Sequence, residues 1–574
     1  MSPRLYRPVP SFAYQRTFSW EDKRSSESRY SAGTESRLLN SISGRYSLPP
    51  NPQQWPFNVS PSVPEPDDDI HNPVVKNGKF VDPVHMHLSS RGVLNYGCLS
   101  ILLIGLLTLF VGYPILTYAR RSELQRAGYN LGGINASGQI PDIGNFGLID
   151  LDTPRDAYTK TSLRDGSEWT LVFSDEFNKD GRSFYPGDDP YWEAVDVVFG
   201  ASISQPFTFS KTGNLEWYSP EAVTTANGSL VITFSEKQTH GLDYQGGMIA
   251  SWNKFCFTGG LLEASVQLPD ASNVVGMWPA VWALGNLGRA GYGATLDGLW
   301  PYTYDSCDVG TAPNQTINGQ PVAATIDGYE DANYALSYLP GQRLSRCTCS
   351  DSVHPGPQHS DGSFVGRGAP EIDSFEAQVS NQIGGVSQSA QWAPFNDKYV
   401  WKNTSDNLII NDPSISELNS YIGGKTQQAT SVVTQTNQEI YLLDAGFDDA
   451  YITWISDNKQ AWTINVGGLA ADSAVEISAR PIPQEPMYII MNLGMSRNFG
   501  DVDLEHLTFP NHMRVDWVRV YQNPKNINIG CDPKDFPTQD YINQHLEAYQ
   551  NPNLTTWVDD YKQPWPKNSL VSGC

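Results

Sequence analysis

The segment from Glu371 to Glu376, which reads Glu-Ile-Asp-Ser-Phe-Glu, places three carboxylates within six residues and separates them with apolar side chains. A regular strand puts Glu371 and Asp373 on one face and Glu376 on the other, because strand faces alternate with a period of two. One extra residue between Asp373 and Glu376 forms a β-bulge and returns Glu376 to the face of the other two. The spacing therefore predicts a bulged strand with all three acids on one face.

Such a strip of acids has the residue types of a retaining glycosidase, in which two carboxyl groups lie about 5 Å apart. The Cα atoms of Glu371 and Glu376 are about 13 Å apart along the strand, but both side chains are long enough to lean together across Asp373. One glutamate attacks the anomeric carbon, and the other protonates the leaving oxygen. Asp373 helps to set their protonation states through like-charge coupling. Two other interpretations stay open, a Ca²⁺ site of oxygen ligands and an acidic strand at a solvated edge.

The elements that must position this segment are strands. Long helical patterns are scarce, whereas Gly, Pro, Asn and Asp separate runs rich in β-branched and aromatic residues. These runs cover 169–177, 229–236, 259–268, 277–284, 450–456, 460–466, 487–493 and 514–522. The pattern favours an all-β fold class, a large antiparallel sandwich.

Composition limits the kind of partner. The formal net charge of -24 excludes nucleic acid, because phosphate contacts need a basic surface. The 16 tryptophans and 28 tyrosines suit a core of strands, and they also suit sugar binding, in which flat rings stack on pyranose faces.

An apolar run without charges extends from Gly97 to Tyr118. As a helix it is long enough to cross a hydrocarbon core of about 30 Å, and arginines flank both of its ends. We predict a transmembrane helix over 96–118 and, before it, a disordered cytosolic tail over 1–95, rich in Ser, Arg, Pro and Asn. Two interpretations of this tail stay open, a segment read by trafficking proteins and a merely solvated chain.

Cysteines and glycosylation sequons indicate the compartment of the remaining chain. Cys98 lies in the apolar run, and the other six cysteines follow it: Cys256, Cys307, Cys347, Cys349, Cys531 and Cys574. An even number suits disulfides in an oxidising compartment, whereas the competing metal site lacks a CxxC pair. Sequons follow the run at Asn135, Asn227, Asn314, Asn403 and Asn553. We therefore expect a single-pass type II membrane glycoprotein whose C-terminal part is lumenal or extracellular, in the secretory pathway or at the plasma membrane.

Changes in composition divide that C-terminal part. A Gly- and Asn-rich stretch predicts a stem over 119–166, and the strand-like runs predict the sandwich over 167–523. The polar extension over 524–574 contains Cys531 and Cys574, so we expect a disulfide to tie it to the sandwich.

The acidic segment resembles the E-[hydrophobic]-D-x-x-E signature of glycoside hydrolase family 16, in the bulged form of its laminarinase-like members. Segments that resemble other strands of that family follow in the same order, at 168–177, 246–269, 276–285 and 509–522. More narrowly, the chain resembles the fungal Kre6/Skn1 group of β-glucan synthesis-associated proteins. The motifs of that group are GYNLGGINASGQ at 128–139, SCDVGTAPNQT at 306–316 and LPGQRLSRCTC at 339–349.

This resemblance implies a concanavalin A-like β-jelly-roll sandwich and assigns roles to the acids. Glu371 matches the nucleophile, Asp373 the assisting carboxylate and Glu376 the general acid/base. Trp278 and Trp282 match the aromatic strand of the cleft, although packing in the core stays an equal alternative for each.

Further positions follow from the same resemblance. Trp392 is another cleft candidate, and Gln388 and Gln391 stand where many family members have a histidine, which bears on recognition of the acceptor sugar. An insert over 287–366 is absent from small bacterial members. No organic cofactor is implied, and a structural Ca²⁺ near Asp516 would fit the family.

The function that the resemblance implies is a retaining β-glucan hydrolase or transglycosidase that supports β-1,6-glucan assembly in a fungal cell wall. The expected partner is β-glucan oligosaccharide or polysaccharide. The alternative is a glucan-binding or trafficking scaffold with little turnover, and the presence of all three acids favours the enzyme.

Overall fold

The computed structural model describes most of the chain after residue 146 and short parts before it. The described residues are 74–77, 79–81, 90–112, 147–197, 213–269, 273–299, 301–326, 341–380, 382–395, 400–424, 427–436, 441–446, 450–571 and 573–574. The chain divides into two compact units, residues 1–105 and residues 106–574.

Strands dominate the described residues. In chain order the strands are β1 Val74–Lys76, β2 Lys79–Val81, β3 Thr159–Thr161, β4 Glu168–Asp175, β5 Glu193–Ala194, β6 Glu216–Tyr218, β7 Val223–Ala226, β8 Ser229–Phe234, β9 Tyr244–Ala250, β10 Gly260–Gln267, β11 Met277–Gly285, β12 Glu371–Ser380, β13 Ile383–Trp392, β14 Leu408–Ile410, β15 Ser416–Leu418, β16 Gln428–Gln435, β17 Tyr441–Gly446, β18 Tyr451–Ser456, β19 Lys459–Asn465, β20 Met487–Met495 and β21 Asn511–Gln522. The α-helices are α1 Ser90–Leu107, α2 Gly293–Leu299, α3 Gln539–Gln544 and α4 Leu546–Gln550. Short 3-10 helices cover Arg155–Tyr158, Pro220–Ala222, Val309–Thr311, Pro313–Gln315, Val322–Thr325 and Val466–Leu469.

Helix α1 contains part of the predicted membrane span. It begins at Ser90, before the apolar run, and ends at Leu107, where a π-helical turn over Thr108–Gly112 follows. Among the residues that the structure describes, none of the helices combines the length and the apolar character needed to span a membrane. The transmembrane helix predicted over 96–118 stays a prediction. Residues 113–118 lie outside the described residues, as does most of the predicted tail over 1–95.

Two sheets stack to form the sandwich. The back sheet has the strand order β14-β19-β18-β17-β10-β21-β4-β3, with β8 pairing β21 and β7 pairing β8. The front sheet has the order β15-β16-β13-β12-β11-β20-β9-β5, with β6 added to β9. Buried side chains of both sheets join one apolar cluster, for example Phe173 and Val520 of the back sheet and Phe375 and Ile489 of the front sheet. The predicted all-β sandwich is confirmed, and β3 extends it into the predicted stem.

The C-terminal extension is packed against the sandwich and tied to it by disulfides. Trp557 and Tyr541 join a second apolar cluster with Leu287 and Tyr488. Disulfides connect Cys256 with Cys531 and Cys349 with Cys574, and a third connects Cys307 with Cys347 inside the insert. The disulfide prediction is confirmed for all six cysteines, which leaves none of them for the alternative metal site.

The sequons stay a prediction. Asn227, Asn314, Asn403 and Asn553 are exposed, so each is accessible to modification, whereas Asn135 lies outside the described residues.

Candidate active site

The predicted bulge is present in β12. Asp373 pairs with Ser389 of β13 and Glu376 pairs with Ser387, so three steps on β12 oppose two on its neighbour. The pairing with β11 shifts at the same place. The extra residue keeps Phe375 in the apolar core, together with Ile372, and turns all three acids toward one cleft.

A tryptophan from the opposite sheet stabilises the bulge. The Trp454 indole Nε1 of β18 donates a hydrogen bond to the main-chain carbonyl of Asp373 at 2.8 Å. Trp454 stacks on Trp462 of β19 with ring centroids 4.0 Å apart, and both rings are fully buried. Since a bulge disrupts the ladder locally, the indole supplies a donor at the place where strand pairing is irregular.

The cleft above the front sheet has a volume of about 700 Å³, within the range of ligand-binding clefts. Its floor includes the three acids together with Trp278 and Trp282 of β11. Segments outside the sheet add walls: Gly291, Leu296, Pro301 and Tyr302 come from the insert, and Pro552, Asn553 and Thr555 come from the C-terminal extension. The insert and the extension therefore take part in forming the cleft.

Glu371 and Glu376 each accept a hydrogen bond from an aromatic side chain. The Tyr302 hydroxyl donates to Glu371 Oε2 at 2.7 Å. The Trp278 indole Nε1 donates to Glu376 Oε1 at 3.0 Å, and its ring stacks on Phe499 with centroids 4.4 Å apart and planes inclined by 8°. These contacts hold the two carboxyl groups on the cleft side of the strand.

Asp373, which is 2 % exposed, is held by neighbours on β13. Ser389 Oγ and Gln391 Nε2 both donate to its Oδ2, at 2.6 and 3.1 Å. Gln391 Oε1 is buried without a hydrogen-bond partner, although its residue lines the cleft. An unpaired, buried acceptor in a cleft is suited to accept a hydrogen bond from a hydroxyl group of a bound sugar.

The pKa values of the three acids are raised to different extents. The pKa of Glu371 is raised to about 8, chiefly by burial and then by the charge of Asp373, while the hydrogen bond from Tyr302 acts in the opposite direction. The pKa of Asp373 is raised to about 6 by burial, opposed by hydrogen bonds from Ser389 and Gln391. Burial raises the pKa of Glu376 well above its usual value, and the charges of Asp373 and Glu371 add to this effect. Burial and the two neighbouring charges therefore favour the protonated form of Glu376.

A hydrogen-bond network fixes Trp282. Its indole Nε1 donates to Asn492 Oδ1 of β20 at 2.8 Å, and Asn492 Nδ2 donates to the Tyr218 hydroxyl at 3.3 Å. Glu216, which belongs to the same strand as Tyr218, is fully buried and accepts a hydrogen bond from Asn214 at 2.6 Å. Burial raises the pKa of Glu216 to about 7. Asn492, which also lines the cleft, thus orients the indole of Trp282 from the neighbouring strand.

The structure places some of the predicted sugar-binding residues in the cleft and others in the core. Trp278, Trp282 and Gln391 line the cleft, as predicted. The prediction for Trp392 is wrong: its side chain lies in the core between the sheets and donates to Thr430 Oγ1 at 3.0 Å. Gln388 is also fully buried. The reason is strand alternation, because Ser389 and Gln391 occupy the cleft face of β13 and their neighbours must point to the core.

The calcium site expected near Asp516 stays a prediction. Asp516 is exposed on β21, and among the residues described no group of three His, Cys, Asp or Glu side chains gathers to hold a metal.

Sequence reasoning missed Tyr302, Asn492 and the cleft wall formed by the extension. The sequence signal for Asn492 is its place in a strand that pairs with the aromatic strand, opposite Ala280. Tyr302 lies in an insert without strands among its described residues, so no periodicity pointed to it.

Comparison with known proteins gives a family. The family model described as beta-glucan synthesis-associated protein SKN1/KRE6/Sbg1 matches residues 57–574. The Candida albicans beta-glucan synthesis-associated protein SKN1 is 40% identical over 588 residues, which cover 97% of this chain and 73% of that protein. The Saccharomyces cerevisiae protein KRE6 is 40% identical over 538 residues, covering 89% of this chain and 69% of that protein.

Among solved structures, the laminarinase catalytic domain of Thermotoga maritima is similar to this chain. The two are 18% identical, with a TM-score of 0.34, over 62% of this chain and 98% of the bacterial domain.

Proposed function

This chain belongs to the SKN1/KRE6/Sbg1 family of β-glucan synthesis-associated proteins, and we propose that its sandwich is a retaining β-glucan hydrolase or transglycosidase. The reaction serves the assembly of β-1,6-glucan in the cell wall. The observation that supports this proposal most strongly is the bulge of β12, because it gathers Glu371, Asp373 and Glu376 in one cleft.

The reaction proceeds in two displacements. An oxygen of the Glu371 carboxylate attacks the anomeric carbon, the bond from that carbon to the glycosidic oxygen breaks, and the proton of Glu376 passes to the leaving oxygen. In the second step the Glu376 carboxylate takes a proton from water or from a sugar hydroxyl. The oxygen of that acceptor attacks the anomeric carbon and displaces Glu371.

The pKa shifts are consistent with this division of roles. The acid of the first step must hold its proton while the nucleophile is ionised, and burial together with the charges of Asp373 and Glu371 favours the protonated form of Glu376. Asp373 ionises first, and its charge helps to keep the proton on Glu376. The charge on Asp373 and the proton on Glu376 are the states that the first displacement requires of these two groups.

The cleft offers contacts for a sugar chain. Trp278 and Trp282 supply flat rings, and Gln391 Oε1 supplies an open acceptor. We propose that these three side chains bind the glucose units next to the bond that breaks.

We further propose that the sandwich works in the lumen of the secretory pathway or outside the cell. Three disulfides support this location, because such bonds persist in oxidising compartments.

Product analysis tests the proposed activity. The purified full-length chain and its Glu371→Gln variant are incubated with defined β-1,3- and β-1,6-linked gluco-oligosaccharides, and the products are separated by size. Shorter products indicate hydrolysis and longer products indicate transfer, and we expect at least one of these from the wild type and neither from the variant. Oligosaccharide binding without any change of length, in wild type and variant alike, supports the scaffold instead.

A further inference from the structure

We propose that Tyr302 of the insert is a positioning residue for Glu371, so that the insert belongs to the catalytic centre. This inference rests on the proposed function. Tyr302 precedes Glu371 by 69 residues and lies outside the strands of the sandwich, yet its hydroxyl donates to Glu371 Oε2 at 2.7 Å. Its side chain is 4 % exposed, so water does not compete readily for this contact.

The Tyr302 hydroxyl donates its proton to Glu371 and not to Gln427. A tyrosine hydroxyl has one proton to donate, and among the described residues two acceptor oxygens lie within hydrogen-bonding distance of it. The contact to Glu371 Oε2 is 2.7 Å and becomes charged when Glu371 ionises, whereas the Gln427 amide oxygen is at 3.2 Å. The shorter, charge-assisted bond takes the proton.

The segment before β12 packs closely against the backbone that carries Tyr302. A Cβ atom on Gly368 would lie 2.4 Å from the Pro301 carbonyl oxygen, and one on Gly366 would lie 2.5 Å from the Tyr304 carbonyl oxygen. Ala369 N also donates to the Pro301 carbonyl at 2.6 Å. Because both glycines lack a side chain, the backbone that leads into Glu371 can run directly against the backbone that carries Tyr302.

The far side of this segment is fastened as well. The main-chain N–H of Tyr304 donates to Gln342 Oε1 at 3.1 Å, and a disulfide joins Cys307 to Cys347. Tyr302 is therefore held between a rigid part of the insert and the beginning of the catalytic strand.

This contact has two consequences for the reaction. A hydrogen bond to the ionised carboxylate favours the state in which Glu371 acts as nucleophile, against the effects of burial and of Asp373. The bond also occupies Oε2, which leaves Oε1 to attack the anomeric carbon. Tyr302 itself forms and breaks no bond to the sugar.

The test compares Tyr302→Phe with Tyr304→Phe in the full-length chain. Both tyrosines belong to the insert and are buried, but only one contacts Glu371. We expect Tyr302→Phe to lower kcat about 10- to 100-fold with KM changed less than about twofold. The acid limb of kcat/KM moves to higher pH, because the loss of the bond raises the pKa of Glu371. Tyr304→Phe keeps the wild-type kcat and the wild-type acid limb of kcat/KM. If the two variants change kcat and the acid limb equally, the inference is overturned.

A double-mutant cycle of Tyr302→Phe and Glu371→Ala, read as urea unfolding, needs no substrate. We expect Tyr302→Phe to cost less stability in the Glu371→Ala background than in the wild type, since the carboxylate partner is already gone. Non-additive changes in a protein that turns over no glucan overturn the proposed function and leave the contact intact. Additive changes in a protein that does turn over glucan overturn the positioning role of Tyr302 alone.

Discussion

Replacement of Trp278 by phenylalanine removes one hydrogen bond from Glu376 and leaves an aromatic ring beside Phe499. In the structure the indole Nε1 donates to Glu376 Oε1 at 3.0 Å, and a phenyl ring has no such donor. A hydrogen bond to a charged group contributes about 1.5–3 kcal/mol, which corresponds to a factor of about 10 to 100 in rate. The step that uses the ionised form of Glu376 loses this contribution.

The two displacements respond differently to this change. The bond from Trp278 lowers the pKa of Glu376, so its loss raises that pKa further. The first displacement needs protonated Glu376, and it persists to higher pH. The second needs Glu376 as a base, so its rate falls. We expect kcat to fall about 10- to 100-fold, kcat/KM to change little, and the basic limb of kcat/KM to move to higher pH.

The assay is a pH–rate profile on a β-glucan oligosaccharide, with mass spectrometry of the enzyme during turnover. Slowing of the second displacement makes the glycosyl-enzyme accumulate, so the modified fraction rises in Trp278→Phe. Trp282→Phe is the matched control, because Trp282 donates to Asn492 instead of a carboxyl group and its loss leaves the basic limb in place. An unchanged kcat, or a basic limb that moves to lower pH in Trp278→Phe, contradicts the reasoning.

Two further substitutions test the floor and the support of the cleft. Gln391→Ala removes the unpaired acceptor Oε1 and the Nε2 group that donates to Asp373. We expect KM for oligosaccharides to rise about tenfold. An unchanged KM shows that no sugar hydroxyl binds to Gln391. Trp454→Phe leaves the main-chain carbonyl of Asp373 without its indole donor. We expect urea unfolding to show that the free energy of unfolding falls by about 1–3 kcal/mol. An unchanged free energy of unfolding shows that the indole does not stabilise the bulge.

The sequence predicted the bulge and the strands because both follow from local periodicity. The spacing of Glu371, Asp373 and Glu376 leaves only one way to place all three on one face, and the register of β12 shows that arrangement. The same period of two places Trp392 in the core once Gln391 faces the cleft, so strand alternation alone separates these two neighbours.

Other parts of the site depend on long-range packing that no local pattern records. Tyr302 reaches Glu371 through a close approach of two irregular segments, and Asn553 reaches the rim of the cleft because the extension folds back across the insert. The bounds of α1 also differ from those of the apolar run, because α1 begins at Ser90 and a π-helical turn follows it from Thr108. Composition shows which residues are apolar, whereas the ends of a helix depend on its caps and its neighbours.

The central claim is that Glu371 becomes covalently glycosylated during the reaction. The direct measurement is peptide mass spectrometry of the full-length chain after reaction with a 2-deoxy-2-fluoro gluco-oligosaccharyl fluoride, which slows release of the intermediate. We expect one added glycosyl group on the peptide that contains Glu371, and no adduct in Glu371→Gln. Turnover of β-glucan with inversion at the anomeric carbon, or an adduct on any other residue, contradicts it.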